Sequence, residues 1–359
     1  MEKFPKEASV VEQLVHAADL SAEARAGIVR DAADLVRKIR HTGKPGLMEV
    51  FLAEYGLSTD EGIALMCLAE ALLRVPDAET IDALIEDKIA PSDWGKHLGH
   101  SSSTLVNAST WALMLTGRVL DDDHEPGVTG ILRGAIKRLG EPVIRTAAKQ
   151  AMREMGQQFV LGETMKSALT RAAKMETKGY TYSYDMLGEA ARTDRDALRY
   201  LNAYSDAIDA IAKVADGNDI RTRPGISVKL SALHPRYEVA QRDRVMAELV
   251  PRISRLVASA ARNNIGLNID AEEADRLDLS LDVIEAALAD PSLDGWDGFG
   301  IVVQAYGLRA SAVIDRIYAM SKTFDRRVMV RLVKGAYWDT EIKRAQIDGM
   351  DGFPVFTSK

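Results

Sequence analysis

An α/β fold is predicted, with a helical N-terminal part followed by parallel strands and helices wound as in a β/α barrel. Three features of the sequence predict it. Apolar residues in the first part recur with the period of a helix, and after Gly162 short apolar runs alternate with helical stretches. Four of those runs also end in polar or charged residues that a buried strand should not contain. They read GISVKLSAL (Gly225 to Leu233), GLNIDAEEAD (Gly266 to Asp275), GFGIVVQAYG (Gly298 to Gly307) and RVMVRLVKGAYWD (Arg327 to Asp339). Burying an unpaired Lys, Asp or Arg is costly, so such residues sit where partners or a ligand wait. Parallel strands joined by helices present the same end on one side. Lys229, Asp270, Gln304 and Arg331 then converge on the face where a β/α barrel builds its active site.

Residues 1–45 read as a helical arm. Ile28, Ala32, Leu35, Val36 and Ile39 form an apolar stripe opposite Arg30, Asp34, Arg37 and Lys38, and Gly43 and Pro45 stop the helix. Residues 46–158 read as an α-helical domain. Ser58 and Glu61 have capping-box spacing ahead of Ile63 to Leu73, Pro76 ends that helix, and SSSTLVNAST suits close packing. Residues 159–359 carry the βα rhythm. YTYSYDM (Tyr180 to Met186) is the first strand and LGEAARTDRDALRYLNAYSDAIDAIAKV the helix after it. With the four runs above, about five strands are present where a closed barrel needs about eight. The reading is a barrel truncated after about five strands, a piece of a longer protein with an exposed parallel edge.

Composition narrows the function. The 359 residues are 47% hydrophobic and 28% charged, enough for a sizeable core. A net charge of -7 argues against a dominant phosphate-binding surface. The single cysteine, Cys67, permits no internal disulfide and reads as a core thiol in a reducing cytoplasm. The N-terminus lacks a signal-peptide stretch and no run reaches transmembrane length, so any membrane contact is peripheral. No glycine fingerprint follows a strand and opens a helix, which argues against a Rossmann nucleotide site. His97 with His100, and Asp121 to His124, show no complete ligand set and read as solvated polar groups.

Lys229 shares a predicted strand face with Ser227 and Ser231. It either holds an anionic substrate or, desolvated, forms a Schiff base. Asp270 is its candidate ion-pair partner. Arg331 lies inside its strand between the same-face residues Met329 and Val333, suiting an electron-rich cofactor or a developing anion. Gly335 and Ala336 let a ligand approach the backbone, while Tyr337 and Trp338 offer flat surfaces.

VRLVKGAYWDTEIKRAQ, SVKLSALHPRY, NIDAEEADRLDLSLD and YSYDMLGEAARTDRDA closely resemble the proline dehydrogenase region of the proline utilisation A family of bifunctional bacterial flavoenzymes. EGIALMCLAEALLRVPDAETIDALIEDKI and HLGHSSSTLVNASTWALMLTG resemble that family's helical domain. The resemblance implies a distorted (β/α)8 barrel holding FAD without a Rossmann fold. It implies that Lys229 binds the carboxylate of L-proline and that Tyr337 packs on the substrate ring. Asp270 and Arg331 would be the catalytic pair, Asp270 organising the polar network and Arg331 lying near flavin N5. Asp270, Ala271, Gln304, Arg331, Val333, Lys334, Gly335, Ala336 and Trp338 would line the FAD site. Hydride would pass from the ring carbon beside nitrogen to the flavin, giving Δ1-pyrroline-5-carboxylate, and a quinone at the inner membrane would reoxidise the flavin.

The resemblance also implies a homo-oligomer built through the N-terminal arm. The family's later strands, its carboxylate-clamping arginine pair and its aldehyde dehydrogenase half have no counterpart here. Its ribbon-helix-helix segment is missing too, so no nucleic-acid partner is expected. The chain alone is therefore expected to bind FAD weakly and to oxidise little proline. Two other readings stand beside this one: a Schiff-base lysine lyase on a related barrel, and a non-catalytic helical interaction module.

Overall fold

The computed structural model describes residues 4–42, 80 and 160–358. Apart from Thr80, the helical domain read over residues 46–158 lies outside them, as do Cys67, His97, His100 and Asp121 to His124. The chain divides into two compact units, Met1–Leu20 with Thr164–Lys359, and Ser21–Glu163. Helix α1 (Glu7–Ala18) belongs to the first. The second contains α2 (Ala22–Thr42), in which Ile28, Leu35, Val36 and Ile39 are exposed; the stop expected at Gly43 and Pro45 lies outside the described residues.

The first unit is built on five strands in chain order, all parallel: β1 (Ser183–Asp185), β2 (Gly225–Val228), β3 (Gly266–Ile269), β4 (Phe299–Gln304) and β5 (Met329–Val333). Sequential order with a helix between neighbours is the winding of a β/α barrel, here represented by five strands. Every residue of β2 and β3 is buried, as expected of parallel strands covered on both faces. In β5, Met329, Arg331 and Val333 are half-buried, while Val330 and Leu332 are 44% and 60% exposed. The register pairs Asp185 with Ser227, Val228 with Ile269, and Gln304 with Val333. The chemically active residues therefore line one edge of the sheet.

Among the described residues, the α-helices after α2 are α3 (Met165–Glu176), α4 (Asp194–Val214), the single turn α5 (Leu230–Leu233), α6 (Arg242–Arg262), α7 (Leu277–Leu288), α8 (Ala310–Thr323) and α9 (Trp338–Ile347). Helix α4 buries Ala197, Leu201, Tyr204, Ala207, Ile208 and Ile211, one face at helical spacing. Helix α6 buries Leu249, Ile253 and Leu256, each worth roughly 1.5–3 kcal/mol when removed from water.

Two elements differ from the sequence reading. The helix expected from Leu187 begins at Asp194, because Gly188 and Ala190 take positive φ values of 130° and 52°. Thr193 then starts the helix with a capping box: its Oγ1 accepts from Asp196 N, and the Asp196 carboxylate accepts from Thr193 N. The strand expected over Gly225 to Leu233 stops at Val228, where its ladder with β3 ends. The backbone turns into α5, Ser231 N donates to Glu272 Oε1 at 3.0 Å, and Ser231 Oγ accepts from Ala190 N at 3.0 Å. Ser231 is thus not on the strand face of Lys229, as had been expected.

Gly300 of β4 lies opposite Asn268 of β3, and a Cβ there would fall 1.9 Å from Asn268 Oδ1. Gly300→Ala is expected to displace that amide and destabilise the protein by about 1–3 kcal/mol. Urea unfolding followed by circular dichroism measures it, and an unmoved midpoint would contradict this account of the β3–β4 contact.

Candidate active site

The site grows from the C-terminal ends of the strands. Lys229 follows β2 directly and Asp270 follows β3, while Arg331 points inward from the middle of β5. Lys229 Nζ donates to Asp270 Oδ2 at 2.9 Å and to Asp185 Oδ1 at 2.7 Å. Arg331 Nη2 donates to Asp270 Oδ1 at 2.6 Å and its Nη1 donates to Ser227 Oγ at 3.0 Å. Both oxygens of Asp270 are therefore taken by cations, and its side chain is only 10% exposed. Lys229 is further fixed by its backbone N–H, which donates to Tyr204 Oη at 3.3 Å.

Burial alone would lower the pKa of Lys229. The hydrogen bonds and charges of Asp185 and Asp270 outweigh it, and the ammonium is held well above the usual lysine range. Burial acts on Asp270 in the opposite sense and raises its carboxyl, against the pull of Lys229 and Arg331. The two directions conflict over one cluster. The ionised cluster is the state assigned, because Asp270 accepts two short charge-assisted N–H bonds that a neutral acid would forfeit. Burial also pushes Tyr204 up to about 12, so its hydroxyl stays protonated.

Gln304, at the end of β4, ties two neighbouring loops together. Its Nε2 donates to Glu272 O at 2.9 Å, and its Oε1 accepts from Ala336 N at 3.1 Å. The same side chain also hydrogen-bonds Tyr306. Val333 O accepts from Ala305 N and Lys334 O from Tyr306 N. Ala271 follows Asp270 and is half-buried. Tyr337 N donates to Tyr306 Oη, Tyr337 Oη donates to Glu189 Oε2 at 3.4 Å, and Trp338 Nε1 donates to Phe356 O at 2.7 Å. Gly335 has a reason the sequence did not show. Its φ is 128°, and a Cβ would meet the Tyr306 ring at 2.5 Å, so packing within the protein already demands glycine there.

The structure thus brings Lys229, Asp270 and Arg331 into direct contact and sets Gln304 against Ala336. Sequence reasoning missed Asp185, the second acidic partner of Lys229. The signal was present: YSYD ends in an acid as NID does. It also missed that Ser227 holds Arg331, and that the buried Glu272 accepts from Ser231 N. Three buried donors find no acceptor among the described residues, Tyr184 Oη, Trp296 Nε1 and Arg331 Nε, and of these Arg331 Nε belongs to the Lys229–Asp270–Arg331 cluster. A buried guanidinium N–H left open beside an otherwise paired cluster suits an acceptor on a bound group.

A proline dehydrogenase family model matches residues 168–359, the whole strand-bearing region. The chain belongs to the proline dehydrogenase family. A second model, described as the DNA-binding domain of proline dehydrogenase, matches residues 47–159; the expectation of no nucleic-acid partner stands beside that description. The bifunctional protein PutA of Salmonella typhimurium is 51% identical over 98% of this chain and 27% of its own length. That of Escherichia coli K12 is 52% identical over 91% of this chain and 25% of its own. The proline dehydrogenase of Deinococcus radiodurans is 26% identical over 58% of the chain. Among solved structures, proline utilization A of Bradyrhizobium japonicum superposes with a TM-score of 0.70 at 51% identity, covering all of this chain and 36% of that one. The chain spans about a quarter of the length of these curated PutA proteins.

The two acids of Lys229 should differ in stability cost. Asp270→Asn leaves two cations short of their buried partner and is expected to cost about 2–3 kcal/mol. Asp185→Asn acts on a side chain 48% exposed and is expected to cost less than about 1 kcal/mol. Thermal unfolding of both variants compares them, and equal losses would mean that the burial assigned to Asp270 does not govern the cluster.

Proposed function

We propose that this chain supplies the first strands of a barrel that oxidises L-proline to Δ1-pyrroline-5-carboxylate with FAD. The observation that carries the reading is Asp270, after β3, bridging Lys229 after β2 and Arg331 inside β5 in a chain of the proline dehydrogenase family. Lys229, held protonated, presents its remaining N–H to the substrate carboxylate. Asp270 keeps Lys229 and Arg331 at fixed spacing, so neither must reorganise when substrate arrives.

The residues present fit FAD. The open Arg331 Nε offers a donor to the flavin ring, and Gln304 holds the loop of Val333, Lys334, Gly335 and Ala336 beside it, with Ala271 and Trp338 on its flanks. When bound, FAD supplies the hydride acceptor. Tyr337, tethered to Glu189, packs on the substrate ring and helps exclude water. On the substrate, hydride leaves the ring carbon beside nitrogen as the nitrogen lone pair forms the C=N bond and the N–H proton is lost. In this reading the electrons pass on to a membrane quinone. Residues 1–45 form the arm that joins copies of the protein, residues 46–158 a helical domain, and residues 159–359 the barrel.

The Schiff-base lyase is not favoured. A nucleophilic lysine must shed its proton, and two carboxylates hold Lys229 as the ammonium. The full-length protein is expected to show flavin absorbance that bleaches on addition of L-proline, and to reduce a dye with proline. A colourless full-length protein without proline-dependent dye reduction would end this reading. Residues 1–359 alone are expected to bind added FAD weakly and to turn over little proline, because groups on the rest of the barrel would be missing. Turnover equal to that of the full-length protein would show that the described strands carry the whole site.

A further inference from the structure

Helix α1 belongs to the strand-bearing unit, yet none of its residues is buried, and Val11, Leu14 and Val15 are exposed. A specific contact fixes its start. Glu7, in the first turn of α1, accepts from Thr357 N at Oε1 (2.9 Å) and from Thr357 Oγ1 at Oε2 (2.8 Å), across 350 residues of chain. Both hydrogen bonds are charge-assisted, and together they set direction as well as distance.

Thr357 ends a short segment that is built against the site. Leu308 N donates to Pro354 O at 3.1 Å, Gly307 and Val355 form an antiparallel bridge, and Phe356 N donates to Tyr306 O at 2.9 Å. Tyr306 in turn carries the loop after β5: its Oη accepts from Tyr337 N, and its ring lies where a Cβ on Gly335 would fall. Val355 is fully buried but Thr357 is exposed, so core packing anchors the middle of the segment and Glu7 its end. The decisive detail is one peptide group. Its N–H, from Thr357, donates to Glu7, and its C=O, from Phe356, accepts Trp338 Nε1 at 2.7 Å. The group is planar, so fixing the N–H fixes the direction of the carbonyl, and the carboxylate on one side polarises the acceptor on the other.

We propose that Glu7 is a positioning residue of the candidate active site. By clasping Thr357 it holds the Phe356 carbonyl where that oxygen orients the Trp338 indole and steadies the loop of residues 333–337. The inference rests on the reading of that loop and Trp338 as part of the FAD site. Glu7 touches neither substrate nor cofactor; it acts through the one peptide group it shares with Trp338.

The test uses the full-length holoprotein. Glu7→Ala is expected to release FAD about fivefold faster on dilution, followed by flavin fluorescence, the scale of one hydrogen bond lost at an exposed position. Amide hydrogen exchange is expected to quicken in peptides covering residues 334–338 and 354–358, and to stay as in wild type in β2 and β3. Glu7→Gln keeps an acceptor for Thr357 N and a donor for Thr357 Oγ1, and is expected to restore both measurements. Thr357→Val removes one of the two hydrogen bonds and is expected to give a smaller change in the same direction as Glu7→Ala.

Unchanged exchange at residues 334–338 in Glu7→Ala overturns the proposal. So does acceleration that reaches β2 and β3, the mark of a general loss of stability. A glutamine variant that behaves like the alanine one overturns it as well, by assigning the effect to the charge at the start of α1. An unchanged rate of FAD release in a protein that holds flavin does the same, because the peptide would then move without the site. Exchange needs neither flavin nor turnover. Faster exchange at both segments in a protein that binds no flavin would support the clasp and remove the FAD reading, whereas unchanged exchange in a protein that oxidises proline would remove the clasp and leave that reading standing.

Discussion

The site depends on one carboxylate. Asp270 lies between Lys229 at 2.9 Å and Arg331 at 2.6 Å, and without it two cations would share a half-buried face with only Asp185 and Ser227 to balance them. A buried ion pair brings little net stability over an apolar replacement, because desolvation offsets attraction. What it provides is placement. Each cation is held in one geometry by oxygens that cannot move, since Asp270 follows a strand buried along its whole length. The same constraint explains why Arg331 tolerates a position inside β5 rather than after it: its neighbour two strands away supplies the counter-charge.

The parallel winding makes this placement possible. Register aligns the ends of β1 to β5, so acids and bases from segments far apart in the chain reach one rim. Behind the rim, the loops are tied to one another rather than left to solvent. Gln304 links the Glu272 carbonyl to the Ala336 N–H, Tyr306 supports Tyr337, and the Phe356 carbonyl receives Trp338. These ties use backbone groups, so the loop after β5 is held in shape independently of the ligand it would meet. The positive φ of Gly335 and its contact with Tyr306 belong to that frame.

The charge arrangement also separates two tasks that one lysine could confuse. A desolvated lysine without acids loses its proton and becomes a nucleophile; Lys229, with two acids, remains an ammonium. Among the buried polar atoms of the cluster, Arg331 Nε is the one that the described residues leave unpaired.

The sequence by itself determined the class of the fold, the strand order, the end of the sheet at which Lys229, Asp270 and Arg331 meet, and the family. It could do so because apolar periodicity and a charge at a strand end are local signals, legible within ten residues. Only the tertiary structure decided which groups touch. Asp185 lies 44 residues from Lys229, and Asp270 lies 61 from Arg331, so these pairs exist only through sheet register. The end of β2 at Val228, the turn that moves Ser231 to Glu272 and Ala190, and the glycine that Tyr306 requires at position 335 were equally hidden. Each depends on where a neighbouring strand stops or a distant ring sits, and local residue preferences carry no record of that.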